Sequence, residues 1–164
     1  MNEKEQEVQM ETEETEEETT LSPFDTLMLR YSELDMVMKE LGVEGAIRIG
    51  AQGRLPRYVI RRPEWPDNSR ELSILPREVG ENGSALYVLV GRVPLRDRPV
   101  EEAYEILSDV LSDSGTTAFA IDEEDRVFLL KSSLAVGGET LRTTQLRRLL
   151  EGQNADEALL MKHL

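Results

Sequence analysis

Residues 116–151, TTAFAIDEEDRVFLLKSSLAVGGETLRTTQLRRLLE, decide the fold. The runs 116–121 and 126–131 are rich in threonine, aromatic and aliphatic side chains, and the acidic residues 122–125 between them have the length of a hairpin connection. Two antiparallel strands are therefore expected. Residues 132–138, ending in Gly137-Gly138, read as a linker. Thr140 can then cap a helix on which Leu141, Leu146, Leu149 and Leu150 fall broadly on one side and Arg142, Arg147 and Arg148 elsewhere. A leucine face that follows a hairpin needs a sheet to lie on, so the stretch predicts an α+β domain.

Upstream, Ser22-Pro23 announces a helix to about Leu41: serine can cap, proline suits the first helical position and Asp25 favours the positive helix end. Phe24, Leu27, Met28, Tyr31, Leu34, Met38 and Leu41 form its core stripe. Leu29, Met36 and Val37 lie off it, which makes Leu29 and Met36 candidates for a partner surface, adaptable where methionine contributes. From residue 45 to 93 the period changes to that of strands, at 46–49, 57–62, 70–75 and 85–93, separated by glycines and prolines. The continuous apolar run of Leu86 to Val90 suits a strand covered on both faces or in the middle of the sheet, whereas Tyr58, Val59 and Ile60 between arginines and prolines suit an edge. Trp65, between Pro63 and Pro66, either anchors a partner or folds back over the sheet. A second helix is expected from Asp97 or Arg98 to about Ser112, with Val100, Ala103, Tyr104, Leu107, Val110 and Leu111 as its apolar stripe. The domain then spans 22–152, with 153–164 as a short helical tail that docks or frays.

The chain of 164 residues has no cysteine, so disulfides, thiolate metal sites and cysteine nucleophiles are excluded, and nothing records an oxidising compartment. The acidic N-terminus and the lack of a long apolar run predict a cytoplasmic protein that neither enters a membrane nor is exported. The net charge of −14 is uneven: residues 1–20 hold nine glutamates and one lysine, −8, leaving −6 for the rest. Residues 1–21 are expected to be a disordered acidic tail, either a solvated leader or a competitor that mimics nucleic acid. The overall field disfavours direct DNA binding and favours basic partners. Between Arg48 and Arg98, however, there are ten arginines and six carboxylates, with no lysine. If Arg57, Arg61, Arg62 and Arg70 share a face, they could meet an acidic partner segment, the chain's own tail or phosphates; otherwise they are solubilising charges paired with Glu64, Asp67 and Glu71.

Chemistry is harder to assemble. The only histidine, His163, is one residue from the C-terminus, which removes histidine dyads and histidine-bearing zinc clusters from the domain. Asp122 to Asp125 lacks the glycine and distant glutamate of a calcium loop and reads as a solvated turn. Gly50 to Gly53 enters a strand, and Gly137-Gly138 before a helix is a weak anion signal. No enzymatic activity, catalytic residue, metal or cofactor is expected.

The order helix, strands, helix, hairpin, helix, together with AFAIDEEDRVFLLKSSLAVGG followed by ETLRTTQLRRLLEG, resembles the YbjN-like family, bacterial cytoplasmic proteins similar in fold to type III secretion chaperones. Ile121, Arg126, Val127, Leu129, Gly138, Leu141 and Leu146 occupy the recurring positions of the family's ending. The likeness covers residues 22–152 in element order and about the last 35 by residue pattern. It implies the order α-β-β-β-(β)-α-β-β-α with a mostly antiparallel sheet, and a homodimer that binds segments of other proteins without ATP. Such chaperones place three strands before the middle helix, and four candidates are present, so 46–49 is either an extra or a merged strand. The middle helix contributes to dimerisation in similar chaperones, which places Val100, Tyr104, Leu107 and Leu111 at or under the contact. The leading expectation is thus a chaperone-like adaptor for a basic client, for example a nucleic-acid-binding protein in DNA or stress metabolism. Single-stranded nucleic acid or phosphate binding through Arg57 and Arg61 is the alternative, and a regulator with an apolar ligand pocket under the first helix is a third.

Overall fold

The computed structural model describes residues 22–62, 70–76 and 84–164. Its elements are α1 (Pro23–Glu40), β1 (Gly45–Arg48), β2 (Arg57–Ile60), β3 (Arg70–Pro76), β4 (Ala85–Pro94), α2 (Val100–Asp113), β5 (Ala118–Asp122), β6 (Val127–Val136) and α3 (Thr143–Lys162). The expected tail at 1–21 and Trp65 lie outside the described residues.

All strand pairs are antiparallel and form one six-stranded sheet in the order β1-β2-β3-β4-β6-β5. Strands β1 to β4 follow one another as a meander. β4 and β5 flank β6 and run parallel to each other, a relation that needs a long crossover, and α2 provides it. The expected run 46–49 therefore corresponds to a separate first strand, Gly45–Arg48, and among the described residues four strands precede the middle helix.

Three sequence expectations are corrected. β2 is an interior strand, between β1 and β3; the edges are β1 and β5. Of the arginines that suggested an edge, Arg57 and Arg61 are exposed, Arg57 in alternation with buried Tyr58, and Arg62 turns inward to α3. The supposed linker 132–138 is mostly strand, because Ser132 to Val136 pair with Leu89 to Ala85 and extend β6 to ten residues. Finally, α3 is capped at Arg142, not Thr140, and runs through Gly152, so the boundary expected at 152/153 falls inside one helix of twenty residues. The Arg142 amide donates to Gln145 Oε1 at 2.9 Å, which satisfies one of the free amides at the helix start. That start also lies five residues beyond Gly138, which removes the glycine pair from the helix N-terminus.

The helices cover one face of the sheet. Tyr58, Ile60, Leu72, Ile74, Tyr87 and Leu89 lie under α1 and the first half of α3, which contribute Leu27, Tyr31, Leu34, Val37, Met38, Leu146 and Leu149. Val93, Phe128 and Leu130 lie under α2 and the end of α3, which supply Ala103, Ile106, Leu107, Val110 and Leu160. Each such side chain contributes roughly 1.5–3 kcal/mol by leaving water. The Ser22 hydroxyl caps α1 by accepting from the Asp25 amide at 3.1 Å. On α1 the stripe is rotated slightly from expectation: Val37 is buried and Phe24 is 54% exposed. Tyr31 ties this layer together, its hydroxyl accepting from the Ile74 amide at 3.0 Å and donating to the Pro56 carbonyl. At the start of β1, Gly45 is required by space, because a Cβ there would come within 2.3 Å of the Tyr58 ring and 2.7 Å of the Val59 carbonyl oxygen.

Candidate docking surface

Period two gives every strand a second set of side chains, and among the described residues no helix covers it. Reading across the sheet in register, one row of this open face holds Arg48, Arg57, Ser73, Val88 and Ser133. The next holds Ala46, Val59, Glu71, Val90, Lys131 and Ala118. A third holds Arg92, Leu129 and Ala120, with Arg61 continuing the alternation beyond β2, its amide donating to the Glu44 carbonyl at 2.8 Å. Leu75, Leu86 and Ala135 form a fourth. The surface is thus an aliphatic and small-residue floor with Arg48, Arg57, Arg61, Arg92 and Lys131 standing on it.

Among the described residues its carboxylates are Glu71 near the middle and Glu44 and Asp122 at the margins. Glu71 is shared: its Oε2 lies 3.3 Å from Arg57 and 4.0 Å from Arg92. Among the described residues, Arg48, Arg61 and Lys131 make no ion pair. Among the described residues, five cations and three carboxylates leave this face positive on a chain of net charge −14. No aromatic ring stands on it among the described residues; Tyr58, Tyr87 and Phe128 are buried on the helix side.

The arginines do not all share this face. Arg57 and Arg61 do, whereas Arg62 and Arg70 turn inward to Glu157 on α3. Arg62 donates to both Glu157 oxygens, at 3.0 and 2.7 Å, and Arg70, only 3% exposed, donates to Oε2 at 2.8 Å. Burial alone would raise the Glu157 carboxyl, but the two guanidiniums outweigh it and hold the group below its ordinary value. Burial is also the largest influence on Arg70, and it lowers that group despite Glu157.

Two neighbours complete this seam. Gln153 reaches between β4 and β6, where its amide donates to Leu89 and Leu130 carbonyls and to the Ser132 hydroxyl at 3.1–3.3 Å. Gly91 leaves the room, since a Cβ there would sit 3.1 Å from Gln153 Oε1. Asp156 accepts from the amides of Gly115 at 2.9 Å and Thr117 at 3.1 Å. Desolvation works against the charged form of Asp156, and these hydrogen bonds overcome it, so its carboxyl also lies below the ordinary value. The second half of α3 is therefore fastened by polar side chains to β3, β4 and β6, to Arg62 just beyond β2 and to the loop that leads into β5. Gln153, Asp156 and Glu157 recur at helical spacing in the sequence, a signal that reads as a solvent face until the sheet beneath is known.

The other candidates scatter. Leu29 and Met36 are 57% and 64% exposed on α1, which packs on the other face of the sheet from Arg57 and Arg61. On α2, Tyr104 and Leu111 are 50% and 52% exposed, Val100 is half-buried, and Leu107 is buried within its own domain, with Ile106 taking a core place that the stripe had not included. Asp122 to Asp125 do form the hairpin turn, with Asp122 Oδ1 accepting from the Asp125 amide at 3.0 Å and Arg126 in the left-handed region at φ 54°.

Among the described residues these features define an α+β domain with a fully antiparallel six-stranded sheet, three helices on one face and a positive, aliphatic second face. Among the described residues no helix is long and apolar enough to cross a membrane. No family model and no curated protein matches the sequence. Among solved structures, the fold is similar to that of an uncharacterized protein from Methanothermobacter thermautotrophicus, with a TM-score of 0.51 and 14% identity over 80% of this chain and 94% of that one. At such identity the likeness concerns fold alone.

Proposed function

We propose that this chain is a non-enzymatic adaptor whose open sheet face holds an extended, acidic segment of a partner protein. The observation that carries this reading is the register itself: strands distant in sequence bring Arg48, Arg57, Arg61, Arg92 and Lys131 onto one face, which no helix covers among the described residues, with Val59, Val90 and Leu86 between them. Cations above an aliphatic floor suit a polypeptide carrying carboxylates and some apolar side chains. The basic client expected from net charge followed from the bulk composition; the partner favoured by this surface has the opposite sign. Element order also supports a relation to the YbjN-like and type III secretion chaperone group, with β1 as an added strand. In that group's manner the adaptor is a homodimer, and the exposed Tyr104 and Leu111 of α2 are its contact residues.

Single-stranded nucleic acid is the second reading, favoured by the same arginines. It is the weaker fit, because single-strand binders stack bases on aromatic rings and this face has none among the described residues. The test is nuclear magnetic resonance mapping on the full chain, titrated separately with a glutamate-rich peptide, a lysine-rich peptide and oligothymidylate. Shifts at Arg57, Val59, Arg92 and Lys131 with the glutamate-rich peptide alone support the proposal. Shifts confined to the helices, or a response only to oligothymidylate, overturn it.

A further inference from the structure

We propose that residues 1–21 of this chain dock on the open sheet face of their own domain and compete there with the acidic partner segment. This rests on the reading of that face given above and adds its regulation. Charge is the first argument. Residues 1–20 carry −8, the densest negative charge in the sequence, and Arg48, Arg61 and Lys131 are cations without an ion pair among the described residues. Glu71 already divides itself between Arg57 and Arg92, so the face holds more positive charge than its own carboxylates meet.

Reach is the second. The segment joins the domain at Ser22, the cap of α1, on the helix side of the sheet. Twenty-one residues extend to roughly 70 Å at most, while a domain of this size is roughly 40 Å across. The segment can therefore pass the sheet edge and lie across several strands. Pattern is the third. Glu3, Glu5 and Glu7 alternate, as do Glu11 and Glu13, so an extended chain offers each set on one side, towards a face on which Arg57 and Arg61 stand four residues apart with Val59 between them and Arg92 and Lys131 stand on neighbouring strands. Tethering places the segment at an effective concentration in the millimolar range, so even an intrinsic dissociation constant of ~0.1 mM would weaken binding of an outside acidic peptide about tenfold.

The test uses the full chain. Because the protein has no cysteine, Gln9→Cys gives a single attachment point for a nitroxide. Docking predicts paramagnetic broadening at Arg57, Val59, Arg92 and Lys131 that disappears with Arg48→Glu, Arg57→Glu and Arg61→Glu combined, while the outer side of α2 is unaffected. In parallel, a glutamate-rich peptide is titrated into the parent and into a chain whose nine N-terminal glutamates are glutamines, with thermal melting to confirm that both are folded. Peptide affinity about tenfold higher in the neutralised chain supports both the competition and the docking surface. Equal affinity, with no broadening of the open face, overturns the competition and leaves the docking surface standing. No binding to either chain overturns both.

Discussion

Glu157→Ala should be among the most damaging single substitutions in this protein. The residue is 7% exposed and receives three hydrogen bonds from Arg62 and Arg70. Arg62, with 21% of its side chain exposed, can turn towards solvent, but Arg70, at 4%, cannot. Removing the carboxylate leaves a buried guanidinium held only by Asn154, and breaking such a pair costs about 3–5 kcal/mol. The partial escape of Arg62 argues for the lower end. At about 2–4 °C per kcal/mol for a domain of this size, the melting temperature should fall by roughly 10 °C. The double substitution Arg70→Met with Glu157→Leu should recover most of the loss, because it removes both buried charges instead of stranding one. Differential scanning calorimetry of parent, single and double variants decides the matter. A single variant melting within about 2 °C of the parent would refute the reasoning.

The same seam predicts acid sensitivity: Glu157 and Asp156 are held below their ordinary values of 4.5 and 3.8, so their stabilisation is present above those values and is lost as pH falls through the folded ones. Melting temperature followed downward from pH 5 should drop less steeply in the double variant than in the parent. At the other end, burial and then Asp35, which accepts from its hydroxyl at 3.3 Å, push Tyr58 up to about 12, so its contribution is complete below pH 10 and fades as pH rises through about 12. Tyr58→Phe should flatten that alkaline limb in the same melting series. Gly45→Ala should cost about 1–3 kcal/mol by forcing the Tyr58 ring and the β2 backbone to move, read by urea unfolding. If α2 is the dimer contact, Tyr104→Ser with Leu111→Ser should convert a dimer to a monomer by light scattering, and a parent that already scatters as a monomer removes the idea.

Much of the fold was legible because local pattern and tertiary role agree. Ser22-Pro23 marks α1, the strands β1 to β4 follow their apolar periodicity between glycines and prolines, and the run at Leu86 to Val90 is indeed central. Legibility failed where long-range pairing overrode composition. Residues 132–136 look like the start of a linker, yet β4 is ten residues long and supplies a partner for each of them. Asp156 and Glu157 look solvated, yet their partners are the amides after α2, Arg62 just beyond β2 and Arg70 of β3, which no local pattern links to a helix.

The candidate surface was half legible for a related reason. The arginine density between Arg48 and Arg98 is visible in the sequence, but period two decides which of them face which way, and only the register assigns Arg57 and Arg61 to one side and Arg70 to the other. Lys131 and Arg92 join Arg57 only through the pairing of β4 with β6 and β3. On α2, helical spacing alone did not separate the buried Ile106 from the exposed Tyr104 and Leu111.

Binding of a labelled glutamate-rich peptide, compared between the chain with neutralised N-terminal glutamates and the same chain carrying Arg57→Glu, Arg92→Glu and Lys131→Glu, bears most directly on the open sheet face. If acidic polypeptides dock there, the reversal abolishes binding that the unreversed chain shows at low salt and loses by about 0.3 M salt. Equal affinity in both chains, each with an unchanged melting temperature, would mean that the face is not where an acidic partner sits.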